Sequence, residues 1–365
     1  MASHFIPLTI EDVRRETADC VSIAFTIPPQ LRETFHYHQG QNITIRAVID
    51  GTELRRSYSI CSSPLDEELR IAVKAVPGGR FSTHANERLQ PGHKLEVLPP
   101  SGKFYTELKP DNRKRYLAFV AGSGITPVLS LIRTALAVEP ESHFTLVYGN
   151  RHRASIIFRE QLEGLKNRYM DRLALHHVLS REQMDLPLQQ GRIDAQKCEV
   201  LCERLIDLHG MDEIYLCGPG EMIFSVRDWL EQRGVEKKKI HFELFHPLEA
   251  TGSGAIRQQE TGGDLLPGQE GRVSEVTVRV DGASHAFSLP FEGPSVLDAA
   301  LHEGADLPFA CKGGVCCTCR ARLVEGQVEM DLNYALEADE LAAGFILTCQ
   351  SHPRSPRVVI DFDSK

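Results

Sequence analysis

Four cysteines within nine residues, Cys311, Cys316, Cys317 and Cys319, with a fifth at Cys349, are the densest chemistry in this sequence. Read as C-x4-C-x2-C and then, after 29 intervening residues, a last Cys, the set Cys311, Cys316, Cys319 and Cys349 has the spacing that holds a [2Fe–2S] cluster. Four thiolates must converge on two irons, so one tight loop supplies three and a distant strand the fourth. Gly313 and Gly314 would let the loop curl and turn N–H groups toward the sulfurs. Such bonds help set a reduction potential. A zinc site is the competing reading, but structural zinc usually shows two C-x2-C pairs or a Cys/His mixture. Here there is one C-x2-C, and His352 follows the last cysteine closely. Cys317 as a ligand would give C-x5-C-x-C, so it is read as a non-ligand.

A second set of residues suits a flat ring and phosphates. In Arg56-Ser57-Tyr58-Ser59 the guanidinium of Arg56 can grip a phosphate, Tyr58 offers an aromatic face and Ser59 a hydroxyl. Gly79, Ser82 and Thr83 combine open backbone and hydroxyls before a predicted helix start, a place for pyrophosphate. Together these motifs resemble the FAD-binding barrel of the ferredoxin–NADP reductase superfamily. Gly122-Ser-Gly124-Ile-Thr126-Pro127 follows a predicted strand and opens a helix, with Pro127 where a Rossmann loop has its third glycine. Proline suits a first helical turn, and the superfamily uses this variant for pyridine nucleotide.

The same resemblance assigns further roles. Asn150 and Arg151 would lie near the ribose, and Ser180 and Arg181 would hold the 2′-phosphate of NADPH; an acidic residue there would favour NADH instead. Cys217-Gly218-Pro219 resembles the loop beside the nicotinamide. Glu243 and Phe245 match the acidic and aromatic residues near the flavin. Ser59, Cys217 and Glu243 would then surround the hydride path as catalytic residues, with Phe245 covering the ring.

Elements must position these groups. Residues 1–110 read as short alternating strands (21–27, 42–49, 54–60, 69–76, 94–98) parted by Gly and Pro turns, an antiparallel β-barrel. Residues 111–248 alternate strand and helix, which implies βαβ units and a parallel sheet. Residues 249–271 hold six glycines and almost no large apolar side chains, the composition of a flexible linker. Residues 272–365 begin with a hairpin about Asp281-Gly282, then a helix over 295–304 and the cysteine loop. Ser295-Val-Leu-Asp-Ala-Ala-Leu, Leu307-Pro-Phe-Ala-Cys311 and Leu347-Thr-Cys-Gln350 resemble the plant-type ferredoxin domain, which implies a β-grasp fold. The expected fold class is thus multidomain β and α/β.

The net charge of −9 argues against a nucleic-acid partner, and no apolar run is long enough to span a membrane. A cysteine-rich loop without an export signal fits a reducing compartment, so a cytoplasmic location is expected. Residues 272–365 carry 14 acidic against 8 basic residues, which suggests docking to a basic patch. The order of modules implies electron flow from NADPH through FAD, which takes a hydride and gives single electrons, to the cluster. Glu53–Cys61, Leu146–Arg151, Gly191–Ala195, Cys311–Cys316 and Leu336–Gly344 resemble the reductase subunits of ring-epoxidising phenylacetyl-CoA oxygenases. That resemblance implies the di-iron oxygenase subunits of a phenylacetyl-CoA epoxidase complex as electron acceptor. A reductase of another aromatic-ring or steroid hydroxylase, or a redox sensor, would share every cofactor motif.

Overall fold

A computed structural model describes residues 4–245 and 272–364. The predicted linker, 249–271, lies outside the described residues. The chain divides into two compact units, one of them Ile6–Phe245.

That unit begins with β1 (Ile6–Thr17), β2 (Cys20–Thr26), β3 (Asn42–Ile49), β4 (Thr52–Ser59), β5 (Leu69–Lys74), helix α1 (Arg80–Glu87) and β6 (Lys94–Val97). All strands pair antiparallel in the order β4-β3-β6-β1-β2-β5. The bridge Ile60↔Ile71 joins the two edges, so the sheet curls shut and leaves little edge exposed. Ile23, Ile43, Ile45 and Val97 fill the interior. Arg70, buried in the wall, is satisfied by Asp12 (2.6 Å), Glu68 (2.8 Å) and Ser22 (2.9 Å), which ties β5 to β1 and β2. β1 went unread in the sequence because Glu11, Asp12, Arg14, Arg15 and Glu16 crowd it, and register shifts at Ile10/Asp12 and Arg15/Thr17 break the two-residue alternation.

The unit continues with β7 (Arg115–Ala121), α2 (Ile125–Val138), β8 (His143–Asn150), α3 (Arg159–Arg168), β9 (Leu173–Leu179), α4 (Ala195–Arg204), β10 (Glu213–Cys217), α5 (Gly220–Gln232) and β11 (Ile240–Glu243). The five strands are parallel, in the order β11-β10-β7-β8-β9. Buried on both faces, β7 is a continuous apolar run rather than an alternating one. Strand order reverses between β7 and β10. Ligands of open parallel sheets bind at the carboxyl ends flanking such a reversal.

The barrel docks on α2 through hydroxyls. Ser130 Oγ donates to Ser62 O (2.6 Å), and Ser63 and Thr134 share a hydrogen bond (2.9 Å). Thr126, Ser130 and Thr134 recur every four residues and line one face of a helix that is otherwise largely apolar and buried, apart from Arg133, which pairs with Asp66 (3.0 Å).

In the second unit β12 (Val273–Val280) and β13 (Ala283–Pro290) form a hairpin. Asp281 (φ 50°) and Gly282 (φ 75°) supply the two left-handed residues of its two-residue turn. Then come α6 (Val296–His302), β14 (Arg320–Glu325), β15 (Val328–Met330), α7 (Ala338–Ala342), β16 (Phe345–Leu347), β17 (Ser351–Pro353) and β18 (Arg357–Asp361). The main sheet runs β13-β12-β18-β14-β16, with β12 and β18 parallel at its centre, and α6 contributes Val296, Leu297 and Ala300 to the core beneath it. No helix among the described residues is long and apolar enough to cross a membrane.

Candidate functional site

The first site lies where the barrel meets the carboxyl ends of β7 and β10. Gly122, Ser123 and Gly124 form one helical turn after β7, with Gly122 at φ 56°. Gly124 is there for space: a Cβ on it would overlap Cys217 O. Gly218 is similarly pressed, with Ala121 N 3.1 Å from where its Cβ would be. The two loops therefore touch across the strand reversal. Thr126 Oγ1 donates to Ser123 O (3.0 Å), Tyr148 OH donates to Gly122 O (2.9 Å), and Pro127 is buried in the first turn of α2. Pro219 is the N-cap of α5.

Ser59 and Asn42 are cross-strand partners on β4 and β3, turned toward the end of β11. Ser59 Oγ donates to Glu243 Oε2 at 3.0 Å, and the Asn42 side chain also bonds to Glu243. Burial raises the Glu243 carboxyl to about 7, and those two bonds only partly oppose it. Cys217, at the end of β10 beside β11, is fully buried. Burial, and then the Glu243 charge, push its thiol well up, so it stays protonated. Ser59, Cys217 and Glu243 thus converge. Phe245 packs half-buried on the core nearby.

On the barrel, Arg56 is exposed and donates to Arg55 O (2.7 Å). The Tyr58 ring lies 5.6 Å from that of Phe81 on α1. Gly79 is the N-cap of α1, and Thr83 is exposed in its first turn. Ser82 differs from expectation: its hydroxyl accepts from Val76 N (3.2 Å) and donates to Gly79 O (3.1 Å), closing the turn rather than facing outward. At the far edge Ser180 N donates to Asn150 O and Arg181 N to Arg151 O, both at 2.9 Å, so these two pairs lie side by side. Both arginines are exposed, and Asn150 Nδ2 is buried without a hydrogen-bond partner.

Asn42 and the Ser62, Ser63, Ser130 and Thr134 seam were not singled out from sequence. The seam had a signal in the hydroxyls spaced by four along α2. Asn42 had none, because its role comes from the β3–β4 register.

The second site is the cysteine loop. Cys316 and Cys311 sulfurs are 3.2 Å apart, and Cys349 bonds to both Cys319 and Cys311. Among the described residues no three of His, Cys, Asp or Glu surround one point as ligands of a single ion do. The four sulfurs form a connected group, Cys316 to Cys311, and Cys349 to both Cys311 and Cys319. Bonds from the Cys316 and Cys349 thiols, then from the Gly313 and Val315 N–H groups, draw the Cys311 thiol down, and the same thiol contacts push Cys316 and Cys349 up. This donor set fits a [2Fe–2S] cluster. Cys317 turns its sulfur to Ala335 O (3.3 Å), away from the group. The curl falls differently from the sequence expectation: Lys312 (φ 53°) and Gly314 (φ 71°) take the left-handed conformation, whereas Gly313 points its N–H at Cys311 Sγ (3.3 Å).

Three family models match: an oxidoreductase FAD-binding domain over 7–105, an oxidoreductase NAD-binding domain over 119–228, and a 2Fe-2S iron-sulfur cluster binding domain over 278–354. The chain is 45% identical over 361 residues to one of the subunits of the 1,2-phenylacetyl-CoA epoxidase of Escherichia coli (strain K12), covering 99% of this chain and 98% of that one. It is 33% identical to the ferredoxin reductase component of 3-ketosteroid-9-alpha-monooxygenase of Rhodococcus rhodochrous, covering 99% and 97%. Among solved structures, phthalate dioxygenase reductase aligns over 98% of both chains with TM-score 0.55 and 23% identity, a likeness of fold.

Proposed function

We propose, from the premise that this chain belongs to the family of FAD- and [2Fe–2S]-containing reductase components of multicomponent oxygenases, that it draws electrons from NADPH and delivers them to the di-iron oxygenase subunits of a phenylacetyl-CoA epoxidase. The observation that carries this reading is identity to the Escherichia coli epoxidase component across all three modules. The adopted modules are 1–110, 111–248 and 272–365, joined by 249–271.

FAD, when bound, accepts a hydride and releases electrons singly to the cluster. The chain's own residues do the rest. The Gly122–Gly124 turn leaves room at the sheet reversal for the pyridine nucleotide, and Arg56 with the start of α1 holds flavin phosphate. Glu243, its carboxyl near 7, holds or yields a proton at Oε2, and the Ser59 hydroxyl passes it along their hydrogen bond. The protonated Cys217 keeps a second negative charge out of the cleft. Cys311, Cys316, Cys319 and Cys349 hold the irons. Reduced thiols at that centre suit the cytoplasm.

Preference for NADPH over NADH rests on Ser180 and the exposed Arg181 as the pair that would hold a 2′-phosphate, with Arg151 beside them toward the ribose. Arg181→Asp should raise KM for NADPH at least about tenfold more than for NADH, measured by steady-state flavin reduction; equal losses would remove Arg181 from nucleotide choice. For the partner, the test is reconstitution. The protein, NADPH and purified epoxidase oxygenase subunits should consume phenylacetyl-CoA. No turnover with subunits shown active with another reductase would defeat the assignment.

A further inference from the structure

The residue after the first cluster ligand is strained and tethered at once. Lys312 sits at φ 53°, a conformation that side chains other than glycine rarely adopt. Its Nζ bonds Asp298 Oδ1 at 2.6 Å, on α6, and lies 4.8 Å from the Phe309 ring centre. Asp298 is itself aimed: Ser295, the N-cap of α6, donates from its hydroxyl to Asp298 Oδ2 at 3.0 Å and accepts from Asp298 N. The Lys312 carbonyl accepts from Gln350 Nε2 (3.1 Å), the residue following the fourth ligand. Directly downstream, Gly313 N–H points at Cys311 Sγ. A chain of contacts therefore runs from the cap of α6 to the N–H that faces a ligand sulfur.

We infer that Lys312 and Asp298 are positioning residues for the one-electron centre, clamping the loop so that its N–H groups stay aimed at sulfur. The inference rests on the four cysteines holding a [2Fe–2S] cluster. Bonds to ligand sulfur stabilise the reduced, more negative cluster, so a slack loop should lower the potential. Both side chains are about half exposed, and surface ion pairs add little to folding, so breaking the clamp should spare the fold. The clamp and a simple through-space charge effect agree on the sign for Lys312 and part at Asp298. Removing a cation lowers a nearby potential, and removing a carboxylate raises it.

The test uses the full-length holoprotein and an EPR-monitored redox titration. The wild-type spectrum checks the premise separately, since a protein without a [2Fe–2S] signal fails there first. Lys312→Gln and Asp298→Ala should both shift the midpoint to more negative values by similar amounts, with the double variant no lower than either single one. Both should also release iron to a chelator several-fold faster, and Lys312→Arg should stay close to wild type. Lys312→Gly removes the tether while relieving the backbone, so it should follow Lys312→Gln. Opposite shifts for the two single variants, unchanged midpoints, or a wild-type-like Lys312→Gly would overturn the clamp.

Discussion

The cysteine loop and the hydride cleft are built in opposite ways. Three of the four cluster thiols come from nine consecutive residues, and the fourth, Cys349, sits in the turn between β16 and β17 rather than on the strand the sequence suggests. Ser59, Cys217 and Glu243 come from β4, β10 and β11, and the Ser59–Glu243 contact bridges 184 residues of chain. The loop is a local device whose identity is its ligands. The cleft is a long-range device that exists only while the barrel stays docked on α2. Electron output should therefore fail through ligand identity, and electron intake through small displacements.

The sharpest way to break this contrast is Cys316→Ser. Output to a one-electron acceptor should fall at least about 10²-fold and the iron–sulfur EPR signal vanish, while NADPH still reduces the flavin, because thiolate ligation is what holds the irons. Cys317, although adjacent, should not rescue it, and Cys317→Ser should keep the cluster. Retention of the signal in Cys316→Ser would make the ligand set interchangeable.

Next in size is Glu243→Gln, expected to slow flavin reduction about 10²-fold, the scale of a single proton-handling group. The carboxyl is protonated below about 7 and ionised above it, so the wild-type rate should change across that pH and the variant's profile should be flat. The stability sign follows from the same rise. Its folded value lies above the ordinary 4.5, so ionisation favours unfolding, and stability falls as pH climbs from 4.5 through about 7. The Gln variant should lose less over that window in urea titrations at stepped pH. A wild-type-like pH profile for Glu243→Gln would take the proton role from this residue.

Gly124→Ala tests displacement directly. Its backbone, at φ −59°, tolerates alanine, so what is at stake is the approach to the Cys217–Gly218 peptide. Overpacking of this kind costs about 1–3 kcal/mol. Nucleotide affinity should drop about tenfold with the cluster spectrum intact, as read by fluorescence titration. The smallest expected effect is Ser130→Ala, which removes the bond to Ser62 O and should cost about 1 kcal/mol. Thermal unfolding followed at the flavin should shift downward, while the iron–sulfur signal melts as in wild type.

Legibility followed the same division. The cysteine spacing, the Asp281-Gly282 turn and the apolar run of β7 are set by neighbours in sequence, and each could be read directly. Arg181 and Glu243 carry roles that only motif resemblance suggests. Asn42 could not be read, because its meaning depends on facing Ser59 across a ladder. Nor could the curl at Lys312, where tertiary bonds impose on lysine a backbone state that local preference assigns to glycine. β1 was hidden by its charges, since a barrel wall with one wet face and two bulges loses the alternation that marks a strand.

The place of β18 in its sheet bears on biosynthesis. This strand, residues 357–361, lies between β12 and β14, yet it is translated after all four cluster cysteines. While the ribosome is still at work, β12 and β14 lack the strand that joins them, and Cys349 has no completed framework behind it. The frame behind the four thiols is thus closed by the last strand of this sheet to leave the ribosome, not by the loop that carries them.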